Sequence, residues 1–252
     1  MHSCTDGLHP CQYGEQKMAD RFYMAIQQMT NPNTKVLCPL NVNNAGFEDG
    51  TSDTDTAMSY VFQSKGWVFH RVSNEGLGSD CGFQNPGSNR YIGAAGSGTP
   101  LGAQGKGVAF FYNRPGTTMD NMSWVSQTIG GYLQDNVQYT LSVAVGKRIG
   151  LSFAGARIEL LAGDTIIGSQ ILGTDSLIPA GQFTDITFSV DSNTLDQALL
   201  GEFLTIKLSP FTDLESAIVD FDNVRLTSIE IPEPASAILM IAAAWLAMKR
   251  KR

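Results

Sequence analysis

Two carboxylates near the C-terminal end of the chain set the first chemical question. Asp220 and Asp222 lie in Ala217-Ile218-Val219-Asp220-Phe221-Asp222-Asn223-Val224-Arg225-Leu226-Thr227, which reads as a strand. Strand side chains alternate between faces, so period two puts Asp220 and Asp222 on the face of Val224 and Leu226. With Val224 and Leu226 in a core, both carboxylates lie along the inward face. A buried carboxylate without a partner is very costly. The pair therefore needs a cation, several donors or a place at the rim of the fold. Asp53-x-Asp55 lacks the Gly and the terminal Glu of an EF-hand loop and reads as solvated.

Other catalytic groups are scarce. Of three histidines, His2 and His9 fall in the first 39 residues, which leaves His70 alone for acid–base work. Gly150-Leu151-Ser152-Phe153-Ala154 departs from a nucleophile elbow, and Pro100 stands where a phosphate loop ending in Gly105-Lys106 needs glycine. Paired carboxylates could serve glycoside hydrolysis, but no motif marks them. Aromatic rings that could stack on a sugar are Trp67, Phe69, Tyr91, Tyr112, Trp124 and Tyr132. Trp67 reads as core. Trp124 and Tyr132 flank a Gly-Gly pair and are the better exposed candidates for glycan binding.

The elements that must hold these residues are strands. Val108–Tyr112, Ser123–Ile129, Gln138–Gly146, Phe183–Val190 and Phe203–Leu208 carry strand signals at regular spacing, with Tyr139, Leu141, Val143 and Val145 on one face. Ala156–Leu161 and Thr165–Gly168 read as a hairpin about Gly163-Asp164. Leu40–Gly50 reads as a first strand and turn, and residues 73–107 as a long Gly-, Ser- and Asn-rich loop with a strand at Arg90–Gly93. The many turns and a charged content of only 16 % fit an all-β sandwich of the jelly-roll type over residues 40–228. A net charge of −7 argues against nucleic acid as a partner. None of Cys4, Cys11, Cys38 and Cys81 forms a C-x-x-C pair, which disfavours a zinc ribbon.

The order of these pieces resembles jelly-roll sandwiches of the galactose-binding-like and carbohydrate-binding-module type. Asn44-Ala45-Gly46-Phe47-Glu48-Asp49-Gly50, Gly66-Trp67, Tyr139-Thr140-Leu141 and Asp220–Leu226 carry the resemblance. It implies a structural Ca²⁺ held by Glu48 and Asp222, tying the first strand to the last.

The end of the chain carries a different signal. Pro232-Glu233-Pro234 is followed by an uncharged stretch from Ala235 through Leu239 and Trp245 to Met248, then Lys249-Arg250-Lys251-Arg252. Strong helix formers predict a short hydrophobic C-terminal helix of roughly 21 Å, at about 1.5 Å per residue. Residues 229–252 resemble the PEP-CTERM sorting signal of Gram-negative bacteria. That resemblance implies recognition and cleavage by exosortase, transient anchoring in the inner membrane, and delivery to the cell surface or extracellular matrix. The expected protein is a non-enzymatic, exopolysaccharide-associated one; a carbohydrate-binding module, or a small glycoside hydrolase or lyase, is the alternative. Residues 1–39 form an irregular leader with a short amphipathic helix over 18–29. They lack the apolar run that export requires, which points to a misassigned start.

Overall fold

The computed structural model describes residues 40–49, 66–71, 80–87, 89–94 and 98–231, together with Leu37 and the backbone of residues 58–59, 63–64 and 79. The leader with its expected helix, and the tail with its Pro-Glu-Pro, apolar helix and basic end, lie outside the described residues. Among the described residues helical structure is limited to 3₁₀ turns. Thirteen strands are present among them. They are β1 (Met58–Ser59), β2 (Gln63–Ser64), β3 (Trp67–His70), β4 (Ser79–Gln84), β5 (Val108–Asn113), β6 (Trp124–Tyr132) and β7 (Val137–Lys147). The rest are β8 (Ser152–Phe153), β9 (Ala156–Ala162), β10 (Thr165–Leu172), β11 (Gln182–Asp191), β12 (Phe203–Ser209) and β13 (Ala217–Glu230).

These strands make two sheets. One runs β1-β4-β5-β13-β7-β11, with β8 joining β13 in parallel; the other runs β10-β9-β12-β6-β3-β2. An all-β sandwich is thus what the strand spacing anticipates. The predicted hairpin about Gly163 is present as β9–β10, and Gly163 adopts φ 58°. Residues 40–49, by contrast, are turn and coil rather than strand. Asn44 and Phe47 take φ values of 47° and 55°, which break an extended run. The backbone at 89–94 is likewise turn, not strand.

Between the sheets lies a core that includes Trp67, Phe83, Phe111, Leu141, Val143, Ile158, Leu204, Ile206, Phe221 and Leu226. The turn at 43–47 is pinned to it. Phe47 is fully buried against Trp67 at a centroid distance of 4.9 Å, and Trp67 Nε1 donates to the Asn44 carbonyl at 3.1 Å.

Strand β13 departs from simple alternation in one place. Its register against β7 shifts between Asp222 and Arg225, and Asn223 has φ 46°. This β-bulge inserts a residue, so Phe221, Val224 and Leu226 all face the core. Asp220 and Asp222 alternate with Phe221 and therefore point to the opposite face of the sheet. The expectation that both carboxylates share the face of Val224 and Leu226 is corrected by this bulge. The bulge is held by Val224 N donating to the Ala45 carbonyl at 2.9 Å. Asn tolerates positive φ and a β-branched residue does not. We predict that Asn223→Val costs about 1–3 kcal/mol in chemical denaturation, while Asn223→Gly is close to neutral.

Candidate active site

The outer face of the β4-β5-β13-β7-β11 portion is where Asp220 points. Cross-strand register places Gly82, Phe110, Asp220, Gly146 and Phe183 in one row across these five strands. Two glycines, two phenylalanines and one carboxylate make up that row. The segment around Tyr91 covers it. Ile92 N donates to the Gly181 carbonyl at 2.9 Å, Leu101 N to the Ile92 carbonyl at 2.8 Å, and Phe183 N to the Leu101 carbonyl at 2.8 Å. These bonds tie the cover to the start of β11. Tyr91 stacks on Phe183 at 4.7 Å, and both join Ala94, Val108 and Ala144 in an apolar cluster separate from the main core.

Inside this apolar layer sits one polar centre. Asp220 is fully buried. Its Oδ2 accepts from Tyr91 Oη at 2.5 Å and from Arg148 Nε at 2.6 Å; its Oδ1 accepts from Arg148 Nη2 at 2.8 Å. Arg148 Nη2 also donates to Gln84 Oε1 at 2.6 Å. Tyr91, Arg148 and Gln84 are themselves buried. Burial, with the Asp220 charge added, pushes the Tyr91 hydroxyl well above the ordinary phenol range. Burial works against the Arg148 charge, but Asp220 and Tyr91 more than offset it and the guanidinium is held more firmly protonated than usual. A carboxylate, a guanidinium and a phenol buried together beneath stacked aromatic rings are the kind of perturbed cluster found at functional sites.

Asp222 lies on the same outer face, one pleat further along β13. Its Oδ2 accepts from Gln104 N at 2.5 Å and its Oδ1 from Asn223 N at 2.6 Å. Burial, reinforced by Glu48 and Asp185 and opposed by those two amides, raises its carboxyl to about 8. Glu48 is near enough to repel it but has donors of its own, accepting from Lys106 N and Gly107 N, each at 2.9 Å. Among the described residues no three His, Cys, Asp or Glu side chains cluster as metal ligands. An oxygen cradle does exist. The point where a Cβ on Gly46 would sit is 3.3 Å from Gln104 Oε1, 3.4 Å from the Gln104 carbonyl and 3.5 Å from Asp222 Oδ1. An all-oxygen set with a buried carboxylate is the donor chemistry that suits Ca²⁺.

The glycan candidates do not form a platform. Tyr132 is buried at the end of β6. Trp124, at its start, is half-buried; His70 stacks on its ring at 4.9 Å and Lys207 Nζ lies over it at 5.1 Å. Eight residues of strand separate the two rings, roughly 26 Å at about 3.3 Å per residue. Sequence patterning names Tyr91 only as one of six aromatic candidates, behind Trp124 and Tyr132, and marks Asp220 as a group in need of partners. It does not single out Arg148 or Gln84. A buried carboxylate implies a buried cation, and an arginine just after the apolar run ending at Gly146 is the one local signal for it.

The fold and this centre define a class: β-sandwiches with a dry polar cluster under aromatic cover on the outer face of one sheet. Residues 38–227 match the model of the HpiC1-like cyclases (HpiC1 cyclase), and the chain belongs to that family. Solved structures agree. The Stig cyclase Fisc from Fischerella sp. TAU, in complex with (3Z)-3-(1-methyl-2-pyrrolidinylidene)-3H-indole, is 25 % identical with a TM-score of 0.62, over 77 % of this chain and 98 % of that one. An apo cyclase from Fischerella sp. is 26 % identical, TM-score 0.62, over 77 % and 97 %. A Fischerella sp. TAU cyclase in complex with 4-(1H-indol-3-yl)butan-2-one is 25 % identical, TM-score 0.58, over 77 % and 98 %. No curated protein matches.

Membership of a cyclase family overturns the expectation of a non-enzymatic surface or matrix protein, and with it the sorting, exosortase, transmembrane and matrix reading of the chain. Among the described residues no helix is long and apolar enough to cross a membrane. The physical reason for the difference is plain. The buried polar centre contains neither a histidine nor a nucleophile motif. It is an Asp, a Tyr and an Arg from separate elements, with no shared spacing along the chain.

Proposed function

We propose that the protein is a cyclase that closes a carbon ring on an indole-bearing substrate with an unsaturated side chain, using Asp220 and Tyr91 to handle the proton. The observation that carries this reading is the 2.5 Å contact between Tyr91 Oη and the buried Asp220 carboxylate beneath stacked aromatic rings. The indole ligands of the Fischerella cyclases support an aromatic substrate of that kind. Tyr91, Phe110 and Phe183 provide the rings against which a flat heterocycle packs. Ring closure is an isomerisation. The alkene π bond breaks, one carbon–carbon bond forms, one proton passes to the side chain from the Tyr91–Asp220 hydrogen bond, and one leaves the ring carbon and returns to that pair. The Asp220 carboxylate stabilises the positive charge that develops between these events and takes up the departing proton. Asp220 and Tyr91 are sealed from solvent, so the segment around Tyr91 opens to admit substrate and closes again before ring closure.

The test is turnover of a 3-alkenylindole to a cyclic isomer of equal mass, resolved by chromatography and NMR. Asp220→Asn should lower kcat by about 10²-fold or more, the usual contribution of a positioned acid or base. Asp220→Asn turning over at the wild-type rate would reject the site.

We also propose that the oxygen cradle at Gly46 holds Ca²⁺, with Asp222 and Gln104 as ligands and Glu48 as a neighbouring carboxylate. The ion would neutralise Asp222 and tie the turn at 43–47 to the bulge of β13.

A further inference from the structure

Arg148 stands apart from the groups that face substrate. It follows the last residue of β7, and its backbone is clamped on both sides. The Lys147 carbonyl accepts from Gly181 N at 2.7 Å, and Ile149 N donates to the Arg90 carbonyl at 3.0 Å. From there the guanidinium meets both oxygens of Asp220 and reaches on to Gln84 at the end of β4. Gln84 is buried and the Asp220–Arg148 pair is almost completely so. A plain ion pair would need only the charge. Two bonds to the two oxygens, with Gln84 engaging the same guanidinium, also set the plane of the carboxylate and its rotation about the strand.

We propose that Arg148, oriented by Gln84, is a positioning residue for ring closure: it holds the Asp220 carboxylate in the plane that receives the Tyr91 hydroxyl and keeps it from rotating when substrate enters. This rests on the reading of Asp220 as the reacting carboxylate. Loss of such orientation acts on the transition state more than on substrate binding, so it appears in kcat with KM little changed.

The experiment uses the full chain, the 3-alkenylindole as probe, and three variants beside Asp220→Asn. Arg148→Lys keeps a charge but cannot bridge both oxygens, and should lower kcat about 10- to 100-fold with KM within about 3-fold. Gln84→Met conserves volume and removes the amide that accepts from Arg148, and should lower kcat by about 3- to 10-fold with a stability cost of only a few degrees in melting temperature. Arg148→Gly should regain kcat on addition of guanidinium chloride at millimolar concentration, a rescue that a merely structural role would not give. Wild-type kcat in folded Arg148→Lys and Gln84→Met, with Asp220→Asn inactive, overturns the positioning role and leaves the site reading intact. Full turnover by Asp220→Asn overturns both. If Arg148→Lys does not fold, Gln84→Met decides by the same kcat criterion.

Discussion

Gly146→Ala should cut ring closure sharply although it removes no polar group from the site. Gly146 lies between Asp220 and Phe183 in the row across the sheet. A Cβ there would sit 2.5 Å from Tyr91 Oη and 2.6 Å from each of Phe183 Cε1 and Cζ. The two rings stack on one another and the Tyr91 hydroxyl is bonded to Asp220, so neither can shift without disturbing the site. The methyl therefore displaces Tyr91 from the carboxylate and lifts the cover. Overpacking of this kind costs about 1–3 kcal/mol. The larger consequence is on turnover, which should fall by about 10²-fold or more because a displacement of about 1 Å at a reacting group has that effect. Tyr91→Phe removes the same hydroxyl without a clash, so the double variant should be no worse in kcat than Gly146→Ala alone. Additive losses in the double variant would show that Gly146 acts elsewhere.

Stability of the protein in chelator should fall as pH rises from about 4 to 8, and Asp222 is the cause. Its carboxyl is raised from 3.8 to about 8 in the folded state, first by burial and then by Glu48. A folded-state value above the unfolded one means that the native state binds the proton more tightly. The contribution is therefore fully present below about pH 4 and is lost as pH climbs through about 8, with no further change above. At about 1.36 kcal/mol per unit the full swing is on the order of 5 kcal/mol, or roughly 10 to 20 °C in melting temperature for a domain of this size. Asp222→Asn should remove this slope and be more stable than wild type at pH 9 in EDTA. Added Ca²⁺ should raise the melting temperature of the wild type at pH 9 and not that of Asp222→Asn. Parallel pH profiles for the two proteins in EDTA would reject the assignment, and an equal response to Ca²⁺ would reject the cradle as its site.

The expectation that β13 needs a cation, donors or a rim position followed from the cost of buried charge, and the protein meets it differently at its two carboxylates. Asp220 has a guanidinium and a phenol, and Asp222 has backbone amides. Sequence periodicity nevertheless put them on the wrong face. A bulge changes the parity of a strand by one residue, and Asn223 is the single local hint of it. The turn at 43–47 shows the same limit, since Phe47 enters the core from a positive φ that no alternation pattern encodes.

That this chain folds as a β-sandwich is legible in its residues alone, because strand alternation and turn chemistry are local and survive in any tertiary setting. So is the need of two acidic side chains in the last strand for compensation. Which group compensates is a property of the folded molecule. Arg148 lies 72 residues from Asp220 in sequence and Tyr91 lies 129 residues away. They meet because β13 pairs with β7 and β5 and a loop folds back over that face. Pairing between distant strands is set by the packing of the whole sandwich, and the proposed centre exists only where those pairings bring an arginine, a tyrosine and an aspartate to one dry point.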